Sequence, residues 1–448
     1  MKPLRIALVN APPLGVIEPW YDAPDFPRSS LASLAAYMRQ YNGYAIKVID
    51  AKFDRLSFDQ TIAQILLFKP DIVGFTAFTN EIKPCAYVAA KIKQANPNIY
   101  TLVGGAHFTA LPDRTLLEFP SFDGGISGDG EESLLEFCKA FKDGKPYKGL
   151  LGLVYRENGQ VIMNGARPRN LDVESLPMPA WDLFKPAKHY WMQTSWGCPF
   201  KCSFCMNHNG RVARNRSVEK TIAEMEYLIE NYHPEWIRFG DELFTVDMQR
   251  TADLLDAMVE RNIGHRVKWE IQTHVKYVNR ELLKKFKAAN VMQFDMGVES
   301  GDSEILKHMG KATNLDGIKS AFKMAHEEGI QTGSLLLVGQ PNETVKTMLK
   351  TIDLAVQINS SIPMFGIMVP FPGTEVAKMA AKNEGGYSNL SNNWDEYRKQ
   401  IGGSVEFAGI SRTQIEVLQF WGYLKVFIWN LRFIDLFKFI LKYKIKFL

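Results

Sequence analysis

Twice along this chain, short apolar runs of strand length alternate with amphipathic stretches of helix length, and that alternation leaves few folds open. In residues 1–140 the apolar runs fall at 6–10, 45–50, 72–77 and 100–105, with a weaker one at 124–127. Helical patterns at 31–40, 60–68 and 86–94 lie between them, and another opens near Glu131. Buried strands separated by helices pair in parallel, so an α/β, doubly wound (Rossmann-like) sheet is expected here. Residues 141–187 read as a hairpin around Glu157-Asn158-Gly159 and then a proline-spaced linker, Leu176-Pro177-Met178-Pro179. From 188 to 390 the alternation resumes on a larger scale. Strand candidates at 190–196, 236–239, 267–273, 292–299, 332–338 and 364–369 are separated by long helices such as 217–231 and 251–261. Six such units predict a partial (β/α)6 barrel, with chemistry at the C-terminal ends of its strands. A helical region, 391–448, closes the chain. At 448 residues several cores are expected, not one.

Three of the five cysteines, Cys198, Cys202 and Cys205, crowd into eight residues directly after the first barrel strand. A disulfide framework does not look like this, whereas a metal site in a reducing cytoplasm does. Spacings of three and then two residues let one loop wrap three thiolates around one centre, and soft thiolates suit zinc or an iron–sulfur cluster. A closed zinc site wants four ligands, and His208 could supply the fourth. Three ligands on a four-iron cluster instead leave one iron open to a chelating substrate. The loop position and spacing favour the cluster. Cys85 and Cys138, on expected helices, read as buried structural thiols.

The segment Cys198-Pro199-Phe200-Lys201-Cys202-Ser203-Phe204-Cys205 resembles the radical S-adenosylmethionine superfamily, whose signature is Cys-x3-Cys-x2-Cys with an aromatic before the last cysteine. The resemblance implies a 4Fe–4S cluster on Cys198, Cys202 and Cys205 whose open iron chelates S-adenosylmethionine. It further implies that one electron breaks a sulfur–carbon bond to give a 5′-deoxyadenosyl radical. Phe239-Gly240-Asp241-Glu242 looks like the family segment that meets the methionine amino group, which implicates Gly240, Asp241 and Glu242. Gly297-Val298-Glu299-Ser300-Gly301 looks like the segment that meets the ribose and methionine end, which implicates Glu299 and Ser300. Gly339-Gln340-Pro341-Asn342-Glu343-Thr344 and Pro370-Phe371-Pro372-Gly373-Thr374 resemble recurring family turns. Each of these is short, and their order after successive strands gives them weight.

A doubly wound sheet binds ligands outside the C-terminal ends of its strands. Those ends carry Asn10-Ala11-Pro12-Pro13, Thr76-Ala77-Phe78-Thr79-Asn80, Gly104-Gly105-Ala106-His107 and Gly128-Asp129-Gly130-Glu131. Small residues let backbone approach a large flat ligand, and Thr and Asn supply hydrogen bonds. No G-x-G-x-x-G follows the first strand, so a dinucleotide is not indicated. Residues 1–390 resemble the cobalamin-binding branch of the radical enzymes, which includes C-methyltransferases and the anaerobic cyclase of chlorophyll synthesis. That resemblance rests on Pro70-Asp71-Ile72-Val73-Gly74-Phe75, Val103-Gly104-Gly105-Ala106-His107 and Gly128-Asp129-Gly130-Glu131-Glu132. It implies a cobalamin site at Pro12, Thr76, Thr79, Asn80, Gly104, Gly105, His107, Gly128, Gly130 and Glu131. The Asp-x-His-x-x-Gly cobalt-ligand motif is missing, and His107 reads as a loop histidine, not a cobalt ligand.

The leading expectation is therefore methyl transfer to an unactivated carbon of a small or lipid-like metabolite, with an electron donor such as flavodoxin or ferredoxin. An oxidative cyclase or rearrangement enzyme with the same cofactors is the alternative, and a sensor that never turns over is a third. No catalytic base stands out, although Glu270, Gln272, His274 and Asp295 fall on barrel strands. A net charge of +4 argues for no nucleic-acid partner. Residues 421–448 carry six basic residues and one Asp, a net of +5, which leaves the rest of the chain at −1. From 411 onward helical structure is expected, with Ile415, Leu418, Trp421, Leu424, Ile428, Leu431 and Ile434 as an apolar stripe beside Lys425, Arg432, Asp435, Lys438 and Lys442. That pattern suits peripheral contact with an anionic membrane or docking on the barrel. Neither an export signal nor a spanning segment is visible, so a cytoplasmic location, at most along the inner membrane face, is expected.

Overall fold

The computed structural model describes residues 2–15, 23–398 and 403–444, the last three by backbone alone. Residues 445–448 of the expected tail helix lie outside the described residues. The chain forms two compact units: Met1–Cys198 with Asn207–Arg238, and Pro199–Met206 with Phe239–Leu448.

In the first unit a seven-stranded sheet has the order β2-β1-β3-β4-β5-β6-β7. Its strands are β1 (Leu4–Asn10), β2 (Tyr44–Asp50), β3 (Ile72–Thr76), β4 (Tyr100–Gly104), β5 (Gly124–Ile126), β6 (Leu153–Glu157) and β7 (Gln160–Met163). The first five pair in parallel. Ile6, Ala7, Leu8 and Val9 of β1 are all buried, because helices cover both faces of a central parallel strand. Strand order reverses between β1 and β3, which is where doubly wound sheets open a ligand crevice.

The hairpin, expected as a separate segment, instead extends this sheet. Ile126 pairs with Leu153 in antiparallel register, and Leu153, Val154 and Tyr155 are buried. An isolated hairpin could not bury that apolar face, so it takes the sheet's edge. Asn158 and Gly159, both at positive φ, make its two-residue turn.

The second sheet continues with β8 (His189–Met192), while β9 (Ser195–Trp196) and β10 (Arg214–Asn215) form a small antiparallel ladder. Its remaining strands are β11 (Trp236–Phe239), β12 (Lys268–Thr273), β13 (Gln293–Glu299), β14 (Gln331–Val338) and β15 (Ile362–Ile367), and the order is β15-β14-β13-β12-β11-β8. The registers of β12 to β15 are parallel. Residues in register share a face, so Glu270, Gln272, Gln293, Asp295, Gly297 and Gly333 line one side. Trp269 and Phe294 point the other way and pack on Phe286 of helix Arg280–Ala288. A polar inner face opposite an apolar, helix-covered face is the pattern of a binding barrel.

From Arg412 the C-terminal region is helical, as expected, in two helices. Helix Arg412–Trp429 docks beside β15, where Gln419 Nε2 donates to the Phe365 carbonyl (2.7 Å) and Phe365 N–H donates to the Tyr423 hydroxyl (3.0 Å). Gly422 lies over the Phe365 ring, where a Cβ would come within 2.9 Å. The helix ends at Leu431, at φ 56°, with Arg432 N–H bonded to Phe427 O and Leu431 N–H to Ile428 O. This is a Schellman ending with leucine where glycine is usual, at a cost of about 1–2 kcal/mol. Helix Phe433–Lys444 follows. Among the described residues, no helix is long and apolar enough to cross a membrane.

Candidate active site

The cysteine loop is tied down at both ends. Gly197 has φ 90°, and a Cβ there would lie 2.3 Å from the Val212 carbonyl, so only glycine fits. Cys198 N–H donates to Gly210 O (3.1 Å), and Asn207 Nδ2 donates to Cys198 O (2.7 Å). Further along, Cys205 N–H closes a turn on Cys202 O (3.0 Å). Ser203 donates its N–H to Met309 O (2.9 Å) and accepts the Val376 N–H on its carbonyl (3.2 Å). Phe204, the aromatic before the last cysteine, packs on the buried cluster of Ile305, Met309, Leu337 and Met368. Cys198 and Cys202 are half-buried, Cys205 is exposed, and none of the three is in a disulfide. Among the described residues, no three Cys, His, Asp or Glu side chains already converge on a metal-sized centre. The donor set fits an iron–sulfur cluster: three thiols on one loop, with no carboxylate in the trio.

His208 is exposed, and its carbonyl is held by Arg169. Asp129 binds Arg169 and also Arg214 (2.8 Å). The acidic residue of Gly128-Asp129-Gly130-Glu131 thus fastens the segment that follows the cysteine loop. Glu131 begins helix Glu131–Asp143, and Gly130 lies against Leu34.

At the end of β12, the His274 ring stacks on Phe200 of the cysteine loop (centroids 4.4 Å apart). Its Nδ1 accepts the Lys276 N–H (3.1 Å), while Nε2 is buried without a partner. Burial first, then the charge of Lys311, pushes its pKa down to about 3, so the imidazole is neutral. Lys311 pairs with Glu299 (2.9 Å), both nearly buried. Glu299 closes β13 at φ 64°, an uncommon conformation for a non-glycine residue and one found at ligand sites. A Cβ on Gly297 would collide with Lys311 Nζ (2.4 Å) and Glu299 Oε1 (2.5 Å). Lys311 carried no sequence signal, because it lies in a turn outside any motif.

The Ser300 hydroxyl is occupied within the fold. It meets Thr351 Oγ1 (3.3 Å) and accepts the Asp302 N–H (3.2 Å), strapping β13 to helix Val345–Ile358. After β11, Asp241 is fully buried and Glu242 half-buried, with Gly240 ahead of them. On the inner face, Gln293 Nε2 donates to Asp295 Oδ1 (2.6 Å), and a Cβ on Gly333 would fall 2.0 Å from that oxygen.

After β14, Glu343 Oε2 accepts the N–H groups of Gly339 (2.8 Å) and Gln340 (2.9 Å), while Oε1 has no partner. Burial raises its pKa to about 7. The Gln340 amide is buried and bonds through neither atom. Buried polar groups are ordinarily paired, so open valences here and on His274 mark groups available to a ligand.

In the first unit, the loops after β3 and β4 meet backbone to backbone. Ala77 N–H donates to Gly104 O (3.0 Å) and His107 N–H to Ala77 O (3.2 Å), while a Cβ on Gly105 (φ 93°) would lie 2.8 Å from Ala77 O. Pro12, Thr76 and Thr79 are buried; Asn80, Gly104 and Gly128 are half-buried. Gly128 N–H donates to Thr109 Oγ1 (3.1 Å). His107 is not in a loop as expected. It lies in the short helix Ala106–Ala110, buried, and burial holds its pKa down to about 4.

Beneath these loops runs an ionic cluster that no local pattern announced. Lys52 Nζ pairs with Glu81 Oε1 (2.6 Å), both buried, and Arg28 adds a second cation at 3.5 Å. Burial would raise the Glu81 pKa, but Lys52 and Arg28 outweigh it and hold it down to about 2. Asn10 Nδ2 donates to Asp50 Oδ1 (2.7 Å) beside them. Cys85 and Cys138 are buried, as their helical positions implied.

The chain thus joins a doubly wound sheet to a parallel barrel sheet with a three-cysteine loop after its first strand. Residues 192–355 match the Radical SAM superfamily model, and residues 23–137 match the B12 binding domain model. An uncharacterized methyltransferase of Pyrococcus horikoshii is 32% identical over 89% of this chain and 87% of its own length. The anaerobic magnesium-protoporphyrin IX monomethyl ester cyclase of Rubrivivax gelatinosus is 28% identical over 79% of this chain and 66% of its own length. The radical S-adenosylmethionine methyltransferase TsrM of Kitasatospora setae, solved with cobalamin and a 4Fe–4S cluster, superposes with a TM-score of 0.75 at 18% identity, over 95% of this chain and 91% of that one. The chain belongs to the radical S-adenosylmethionine enzymes that carry an N-terminal B12-binding domain. That membership favours the iron–sulfur cluster over the zinc site that His208 had left open.

Proposed function

We propose that this protein is a cobalamin-dependent radical methyltransferase acting on an unactivated carbon of a small or lipid-like metabolite. The observation that carries this is the tethered cysteine loop, stacked through Phe200 on a neutral His274 at the end of a polar-lined strand face. When bound, the cluster, S-adenosylmethionine and cobalamin supply an electron, a carbon radical and a methyl group respectively. Cys198, Cys202 and Cys205 would hold the cluster. Gly240, Asp241, Glu242, Glu299 and Ser300 would meet S-adenosylmethionine. Pro12, Thr76, Thr79, Asn80, Gly104, Gly105, His107, Gly128, Gly130 and Glu131 would border cobalamin, within a domain of 1–140, with 188–390 as the barrel.

The chain's own residues support such chemistry in three ways. The neutral His274 ring supports the loop through its stack on Phe200 without adding charge. Lys311 neutralises Glu299, so this end of the barrel gains no unbalanced charge. Glu343 is protonated in about half of molecules near pH 7 and can donate through Oε1. A small electron carrier such as flavodoxin or ferredoxin would serve as reductant in the cytoplasm, with the C-terminal helices reaching a membrane face.

Anaerobic reconstitution with iron, sulfide and cobalamin, followed by mass spectrometry of S-adenosylmethionine products, tests the proposal. S-adenosylhomocysteine together with 5′-deoxyadenosine and a methylated product is the expected result. The cyclase relative favours a second reading, in which 5′-deoxyadenosine appears without S-adenosylhomocysteine. Formation of neither product would leave only a sensor.

A further inference from the structure

Among its described side chains, helix Phe433–Lys444 packs on the fold through one side and presents another, apolar side outward. Its inner side packs through Phe439, whose ring lies 5.8, 4.6 and 5.8 Å from those of Phe420, Tyr423 and Phe427. The outer side carries Phe433, Ile434, Phe437, Ile440 and Leu441, all exposed, with Ile434 at 73% and Phe437 at 64%. At about 100° per residue these five fall within an arc of about 120°. Exposed Trp429 and Leu431 extend the same apolar region across the corner between the two helices.

Exposure on this scale is not a residue of imperfect packing. Leu431 is 76% exposed and holds the left-handed position of a helix ending that glycine fills without strain. At that exposure its side chain gains little from the fold to offset the strain. A contiguous exposed apolar patch of this kind marks an interaction surface.

Charge identifies the occupant. Two cations near the corner are already engaged: Lys425 with Asp353, and Arg432 with Asp435 and the carbonyls of Ser360 and Ser361. After Asp435 the sequence holds Lys438, Lys442, Lys444 and Lys446 and no acidic residue. Lys438 is exposed at the edge of the apolar arc. A second copy of the chain would bring two such lysine-rich segments together, whereas an anionic lipid surface suits an apolar arc edged by Lys438.

We propose that the outer side of helix Phe433–Lys444, with Trp429 and Leu431, docks the protein flat on an anionic lipid bilayer. The proposal concerns this surface alone and is independent of the reaction proposed above. It is tested by flotation of the full chain with vesicles of phosphatidylcholine and phosphatidylglycerol, compared with phosphatidylcholine alone. Binding to the anionic vesicles should be at least about ten-fold tighter and should weaken as salt is raised. The double substitution Ile434→Glu, Phe437→Glu should abolish flotation. Leu431→Gly should weaken it several-fold while leaving Tm unchanged or higher, a combination that a purely structural role for the leucine does not produce. Absence of flotation with either vesicle would overturn the proposal. So would a concentration-dependent dimer, seen by light scattering, that the same substitutions dissolve.

Discussion

The crevice end of the first sheet and the strand ends of the second differ in how their buried carboxylates are held. Beneath the β1 and β3 loops Glu81 is matched by the cations of Lys52 and Arg28, and Asp50 accepts a hydrogen bond from the neutral Asn10 amide. Around the barrel strand ends Lys311 and Glu299 are also paired, but His274 is held neutral and the Glu343 pKa is raised to about 7, each with an open valence, at Nε2 and Oε1 respectively. A matched cluster gives a rigid floor on which a large preformed ligand can rest. Neutral groups with free hydrogen-bonding capacity suit a site that must accept a ligand and let it go. The difference teaches that similar α/β units in one chain can balance their buried polarity in different ways.

The comparison can be broken most severely at the cysteine loop. Cys202→Ala should reduce 5′-deoxyadenosine formation to background and remove cluster absorbance, while the thermal melt stays cooperative, since Cys202 contributes little core volume. Next in size is the matched floor. Lys52→Met leaves Glu81 buried without its closest cation, and urea denaturation should show a loss of about 3–5 kcal/mol. Adding Glu81→Gln should recover part of that loss; if it does not, the matched-charge account of the first unit is wrong.

The neutral face is sharpened by pH. Glu343 has its folded pKa raised to about 7 from 4.5, so the folded state binds the extra proton between those values. Its contribution to stability is therefore full below about 4.5 and lost as pH rises through 7, by about 3 kcal/mol. Glu343→Gln should remove that fall, and the wild-type minus variant difference in denaturant midpoints across pH 4–8 measures it. His274 works the other way: with its folded pKa near 3, stability is lost as pH falls below about 6.5. The smallest effect is expected at Ser300. Ser300→Ala should cost about 1 kcal/mol through the lost strap to Thr351, and a rise in KM for S-adenosylmethionine beyond a few-fold would mark direct ligand contact.

Much of the architecture was legible along the chain because burial leaves a periodic trace. β1 reads as an unbroken apolar run since helices cover both its faces, and the barrel strands were located within a few residues because their apolar face packs on helices. The Cys-x3-Cys-x2-Cys spacing is a local constraint and needs no tertiary knowledge. The hairpin's place at the edge of the first sheet was not legible, because alternation tells which face is buried but not which strand lies alongside. The corner at Leu431 was hidden as well, since no glycine or proline marks it and the apolar spacing continues through the break.

By itself, then, the sequence determined the order of secondary structure, the thiolate trio and the glycines that let backbone pack closely. Tertiary structure alone decided the partners of charges far apart in the chain: Lys52 with Glu81, and Lys311 with Glu299. It also decided which polar groups stay neutral. Periodicity records a residue's exposure to water, whereas pairing and pKa depend on what stands across the gap, and that neighbour is set only when distant segments meet.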